Sequence, residues 1–334
     1  MLKITHLLIC VGALFVSADL AWSADPKSAA AQPPTRPDAD YFLQGEYSGT
    51  VSLPGRGSHT IGLQVVARGN GQFAAMEYLG GLPGNGWDLQ TRHSFSGERT
   101  SADRAKFFDE NRQITVNRNE AIVRDAAGHE LGRLLKQIRR SPTLGAAPPA
   151  DATVLFCGRD ARMFDSGLVT PDHFLVAGSN TSEPFGDFTM HLEFRTPYMP
   201  EARDQGRGNS GVYIQGRYEV QILDSFGLRG EFNECGSLYR QRAPLLNMCF
   251  PPLTWQTYDI DFQGPQFDSA GQKIRNGRIT VRHNGVVIHD QAEITAKTGA
   301  GKPEGPEPLP IKLQDHGNPV HFRNIWIVSK PRKS

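Results

Sequence analysis

The sequence predicts an all-β fold in two bodies, a small antiparallel β domain followed by a two-sheet sandwich. Three observations carry this reading. Glycine (35) and proline (23) together exceed a sixth of the 334 residues, so turns are frequent. Short apolar runs alternate with polar residues at period two, the pattern of half-buried strands. Helical period is nearly absent, and strands spaced regularly without helices close into barrels or stack as sandwiches.

Taken in chain order, residues 1–23 read as a signal peptide: Lys3, an apolar run from Leu7 to Val16, then the small residues of Ala21-Trp22-Ser23. The run is too short for the roughly 30 Å of hydrocarbon, so no transmembrane anchor is expected after cleavage. The protein is expected to be exported, to the periplasm or beyond the cell. Residues 24–40 are rich in Ala, Pro, Ser and Gln, and read as a flexible tether. The runs YSGTVSL, TIGLQVVA, QFAAMEYL, QITVNR and EAIVRD place the small antiparallel β domain at 41–140. Within it, GGLPGNGWD is a long turn whose Trp87 is expected to cap the core. SPTLGAAPPADA has no periodicity and marks a linker at 141–150. In the second domain, 151–330, strands fall at 188–196, 211–216, 217–224, 256–263, 278–290, 310–315 and 321–328. Asn284-Gly285 between ITV and VVI signals a type I′ hairpin.

Thirty-six Lys and Arg stand against 35 Asp and Glu, so no positive excess exists to neutralise phosphates and nucleic acid is not a partner. No nucleotide cofactor is expected either. No Cys/His cluster has zinc spacing. Cys235 and Cys249 lie 14 positions apart in a loop-like segment, and in an oxidising compartment they are expected to form a disulfide worth roughly 3 kcal/mol.

Alternation then assigns faces. In RYEVQILD the apolar set Tyr218, Val220 and Ile222 points to the core, leaving Glu219 and Gln221 on the outer face. In PIKLQDHG, Ile311 and Leu313 point inward, so Lys312 and Gln314 face out, and Asp315 and His316 end the strand. A carboxylate beside a histidine suits acid/base work or metal binding.

The strings GDFTMHLEFRT, GNSGVYIQG, YEVQILDS, TWQTYDIDF, RITVRHNGVVIHD and PIKLQDHGNPVHFRNIWI, in that order, resemble the 3-keto-disaccharide hydrolase family over about 151–330. The resemblance implies a concanavalin-like jelly roll whose concave face binds sugar, and an enzyme acting on glycosides oxidised to a ketone at C3. Jelly-roll glucanases carry Glu-x-Asp-x-Glu on one strand, whereas this chain has Glu219, Gln221 and Leu223 there. Ordinary glycosidases need a carboxylate pair. A 3-keto sugar needs one base for the acidic C2 proton and one group to hold enolate charge, after which the C1 substituent leaves and water adds back. His316 is the expected base or proton shuttle with Asp315 orienting it, and Glu219 is the alternative base. Enolate charge falls to a divalent cation on Glu219, Gln221 and Asp224, or to Arg323. Asn209, Ser210, Tyr239, Gln221, Gln314 and Arg323 are the expected substrate contacts. The rival readings are a noncatalytic, lectin-like carbohydrate-binding module and an ordinary glycoside hydrolase.

Overall fold

The computed structural model describes residues 36–53 and 55–331. The expected signal peptide and most of the tether lie outside the described residues. The tether ends earlier than expected: Asp38 caps a short helix, α1 (Ala39–Leu43), and the buried Asp40 accepts a hydrogen bond from the Gly71 N–H. Polar residues there are tied to the barrel, which composition does not reveal.

Eight strands follow: β1 (Gly45–Leu53), β2 (Gly57–Gly69), β3 (Gln72–Leu79), β4 (Arg92–Ser101), β5 (Arg104–Phe108), β6 (Arg112–Val116), β7 (Glu120–Asp125) and β8 (Glu130–Gln137). Each pairs antiparallel with the next, and β1 pairs with β8, so the sheet closes into a barrel and leaves no open edge. Inward-facing Tyr47, Leu63, Val65, Phe107, Ile114 and Val123 fill it. Trp87 is half-buried, packs edge-on against Tyr78 and donates its indole N–H to the Thr91 carbonyl.

The second body is two sheets around one core. Its strands are β9 (Thr153–Phe156), β10 (Phe164–Asp165), β11 (Leu175–Val176), β12 (Ser179–Phe185), β13 (Asp187–Arg195), β14 (Ser210–Ile214), β15 (Tyr218–Ile222), β16 (Gln256–Gln263), β17 (Gln266–Phe267), β18 (Lys273–Arg275), β19 (Gly277–His283), β20 (Val286–Ile294), β21 (Leu309–Leu313) and β22 (His321–Lys330). One sheet runs β10-β12-β21-β14-β15; the other runs β11-β22-β13-β16-β19-β20, with β9 added on β22. Val212, Val220 and Leu313 from the first sheet share a core with Phe188, Ile260 and Ile325 from the second. The β19–β20 hairpin turns at Asn284 and Gly285 with φ of 50° and 80°, the left-handed pair that a type I′ turn requires.

The segment at 141–150 is docked rather than loose. The hydroxyls of Ser141 and Thr143 bond Thr257, Thr143 also donates to Asp259, and the Gly145 N–H donates to Glu193. Those acceptors lie on the outer face of the seven-stranded sheet. Among the described residues, no helix is long and apolar enough to cross a membrane.

Candidate active site on the five-stranded sheet

Strand register builds the site. Asp165 on β10 opposes Asn180 on β12, Asn180 opposes Lys312 on β21, Lys312 opposes Tyr213 on β14, and Tyr213 opposes Glu219 on β15. Directly opposed residues share a face, so these five form one polar row across the whole outer surface of the sheet. Asp165, Asn180, Lys312 and Tyr213 line a cavity of about 540 Å³ there, with Lys302 on its wall.

Glu219 closes the row at its most enclosed end. Its carboxylate accepts a hydrogen bond from the Tyr213 hydroxyl at 2.7 Å and is buried. Two loops make that enclosure. The segment after β15 folds back so that the Tyr239 N–H reaches the Glu219 carbonyl and Leu238 bridges Val220. The segment after β20 brings the Thr298 hydroxyl to the Glu219 N–H at 2.6 Å. Glycine is demanded where the carboxylate rests: a Cβ on Gly211 would stand 2.4 Å from Glu219 Oε1. One on Gly299, at φ +42°, would crowd both the Tyr239 ring and Glu219 Oε2.

Burial pushes the Glu219 carboxyl up from 4.5 to about 7, with the Tyr213 hydrogen bond and the Lys312 charge offsetting part of the rise. Burial and the neighbouring carboxylate push the Tyr213 phenol well above its usual 10, so it stays a donor. A carboxyl that titrates near neutrality beside a cavity-lining phenol is suited to take and return a proton.

Around Glu219 stands a cluster of amides. Gln221 donates to Gln205 Oε1, Asn209 donates to the same side chain, and the Ser210 hydroxyl donates to the Gln314 carbonyl. The side-chain oxygens of Asn209 and Gln314 are buried without a partner among the described residues, and unsatisfied acceptors beside a cleft suit sugar hydroxyls. The structure thus brings Glu219, Gln221, Asn209, Tyr239 and Gln314 to one sheet face or its bordering loops, whereas Ser210 opposes the core residue Ile222 and is turned to the other face of the sheet.

Other expectations fail on geometry. Arg323 lies on the seven-stranded sheet, where it is ion-paired with Glu193 at 2.6 Å and stacked over Trp255, so it does not face Glu219. Asp224 is spent on Arg207 in a buried ion pair at 2.7 Å, because regular alternation sends it away from Glu219. Among the described residues no three His, Cys, Asp or Glu side chains gather as metal ligands, and Asp224, paired with Arg207, does not join Glu219 and Gln221. Asp315 accepts a hydrogen bond from the Gly317 N–H and caps its own turn rather than orienting His316, and both side chains are exposed at the strand end. Cys235 and Cys249 are free thiols, buried and hydrogen-bonded to each other, so the expected bridge is absent. Tyr213 and Gly211 are the site residues that alternation left unassigned, and Lys312 was placed on the outer face without a role; the signal that joins them to Glu219 is cross-strand register.

Fold and site together define a β-sandwich protein with a polar cavity on one sheet, whose Tyr213 hydroxyl bonds a buried carboxyl. The chain belongs to the family described as the 3-keto-alpha-glucoside-1,2-lyase-like domain, which matches residues 165–328. Among solved structures it is similar to a provisionally described glycosyl hydrolase from Parabacteroides distasonis ATCC 8503, at 34% identity and a TM-score of 0.50, over 55% of this chain and 85% of that one. A second such protein from the same organism matches at 18% identity and a TM-score of 0.40, over 54% of this chain and 94% of that one. No curated protein matches.

Proposed function

We propose that this protein is a carbohydrate-active enzyme that cleaves 3-keto-glycosides, with Glu219 as the base. The observation that carries the reading is a single buried carboxyl, raised to about 7, on the open face of a sheet in a chain of this family. The reading also takes the two sheets as a jelly roll of concanavalin type, with the cleft on its concave side.

Within the polar row, among the described residues, Glu219 has no second carboxyl near enough for ordinary glycoside hydrolysis. The other acid of the polar row, Asp165, lies four strands from Glu219, about 19 Å at the usual strand spacing. Glycosidases need their two carboxyls within roughly 5–9.5 Å. With a ketone at C3, one base suffices. Ionised Glu219 takes the C2 proton, the electron pair enters the C3 carbonyl as an enolate, and its collapse expels the C1 oxygen of the aglycone, which leaves with a proton. Water then adds to C1 of the enone and a proton returns to C2, so the net change is hydrolysis.

Lys312, one of two lysines on this cavity, stands over the Tyr213 ring, and it is assigned the enolate charge that Arg323 cannot reach. The unpartnered oxygens of Asn209 and Gln314 take hydroxyls of the ring, Tyr239 walls it, and the proton that Glu219 has taken from C2 passes to the departing aglycone. The test is exchange at C2: in heavy water the protein should wash deuterium into C2 of a 3-keto-glucoside, and Glu219→Gln should stop it. Undiminished exchange by that variant would remove Glu219 from the mechanism.

A further inference from the structure

A second, smaller cavity of about 260 Å³ lies where barrel strand β2 meets the loops around β14 and β15. Its wall carries three arginines, Arg68, Arg203 and Arg207, against two acids, Asp204 and Asp224. The side chain of Arg207 is only 6% exposed. Its Nε donates to Asp224 and its Nη1 to the carbonyls of Ala67 and Pro200, but its Nη2 has no partner among the described residues. A buried guanidinium N–H without an acceptor costs its full desolvation.

Its neighbours add to the imbalance. Arg203 gives its Nη groups to the carbonyls of Pro200, Ala202 and Arg68, neutral acceptors that leave its charge uncompensated. Arg68 has no carboxylate within ion-pair distance among the described residues. Burial, together with the charges of the other arginines, presses the pKa of Arg68 and of Arg203 down, the sign of cations crowded against one another. The nearby Glu201 accepts a hydrogen bond from Asn70, outside the wall of the cavity.

We infer that this cavity binds a small oxyanion, a phosphate, sulfate or carboxylate group, through Arg68, Arg203 and the free Nη2 of Arg207. Planar guanidiniums suit such oxygens in paired hydrogen bonds. The cavity has room for the anionic group with a small substituent or bridging water. Because Arg68 comes from the barrel and Arg203 and Arg207 from the sandwich, an anion held by all three fastens the two bodies together, and its binding raises stability by mass action. The site is separate from Glu219 and does not depend on the proposed chemistry.

The test is calorimetric titration and thermal unfolding of the whole protein with sodium phosphate, sodium sulfate and sodium acetate, each against sodium chloride at equal ionic strength. Saturable binding of at least one oxyanion, with a rise in melting temperature that chloride does not reproduce, is expected; the anion that binds best identifies whether the group is a tetrahedral oxyanion or a carboxylate. Arg68→Gln and Arg203→Gln, which break no ion pair, should each weaken binding at least tenfold and leave turnover of a 3-keto-glucoside unchanged. Equal effects of chloride and all three oxyanions, or full affinity in the doubly substituted protein, would overturn the assignment.

Discussion

Replacing Glu219 by Gln separates chemistry from folding, because the same burial that makes the carboxyl a base makes its ionised form a liability to the fold. In the unfolded chain this group ionises near 4.5, and in the folded protein at about 7. The protonated form is therefore the one that the fold favours. Its contribution is fully present below pH 4.5 and is lost as pH rises through about 7. At roughly 1.4 kcal/mol for each pH unit between the two values, the ionised carboxylate costs the native state about 3 kcal/mol by pH 8. Glutamine keeps the shape and can still accept from the Tyr213 hydroxyl, but never ionises. Urea unfolding at pH 4.5 and pH 8 should show Glu219→Gln no more stable than the parent at the lower pH and up to about 3 kcal/mol more stable at the higher one. Turnover of a 3-keto-glucoside should fall by roughly 10²–10⁴, the range lost when a positioned base is removed. In the parent enzyme it should rise with pH through a limb near 7. A stability difference that does not change with pH, or a variant less stable at pH 8, would refute the buried, raised carboxyl on which the mechanism stands.

Lys312→Met should lower turnover by at least tenfold and move the acidic limb of the pH–rate profile upward, because the lysine charge opposes protonation of Glu219. Steady-state kinetics at several pH values checks both. Gly211→Ala places a methyl where Glu219 Oε1 rests, so turnover should drop by about a hundredfold while circular dichroism remains that of a folded sandwich. On the opposite sheet, Glu193→Gln should cost roughly 3 kcal/mol, read by urea unfolding at pH 6, since it leaves Arg323 and His191 without their buried partner. Burial alone would raise the Glu193 carboxyl, but the nearby His191 and bonds from Asn324, the Gly145 N–H and Arg323 hold it at about 2, so its stabilisation is present above pH 4.5 and is lost as pH falls toward 2. His191 adds the opposite dependence: burial lowers its pKa, yet its hydrogen bond to Asp259 and the Glu193 charge 3.7 Å away outweigh that and raise it, so its share is lost as pH rises through the raised value.

Much of the fold was legible because a strand face is a local property. The alternation in RYEVQILD placed Glu219 outward without knowledge of any neighbour, and the Asn284-Gly285 pair named its own turn. The polar row was not legible in the same way. Tyr213, Lys312 and Glu219 come from three strands whose register depends on pairing Tyr213 with Lys312, 99 positions further along the chain, and a one-residue slip would turn any of them to the core. Barrel closure is equally non-local, since β1 and β8 meet only after the whole meander has formed. The docking of the linker at 141–150 was not legible, because composition describes its lack of periodicity and not the acceptors that β13 and β16 supply to its hydroxyls and N–H groups. Arg323 was drawn to the site by its motif; a β-bulge in the β13–β22 pairing, beside Glu193 and Arg323, places the two together on the other sheet.

The most direct test of the central claim is to incubate the mature protein and its Glu219→Gln variant with a chromogenic glucoside and with the 3-keto derivative of that glucoside. The account predicts release of the chromophore from the keto compound alone, and by the parent enzyme alone. Release from the unoxidised glucoside, or undiminished release by the variant, would contradict it.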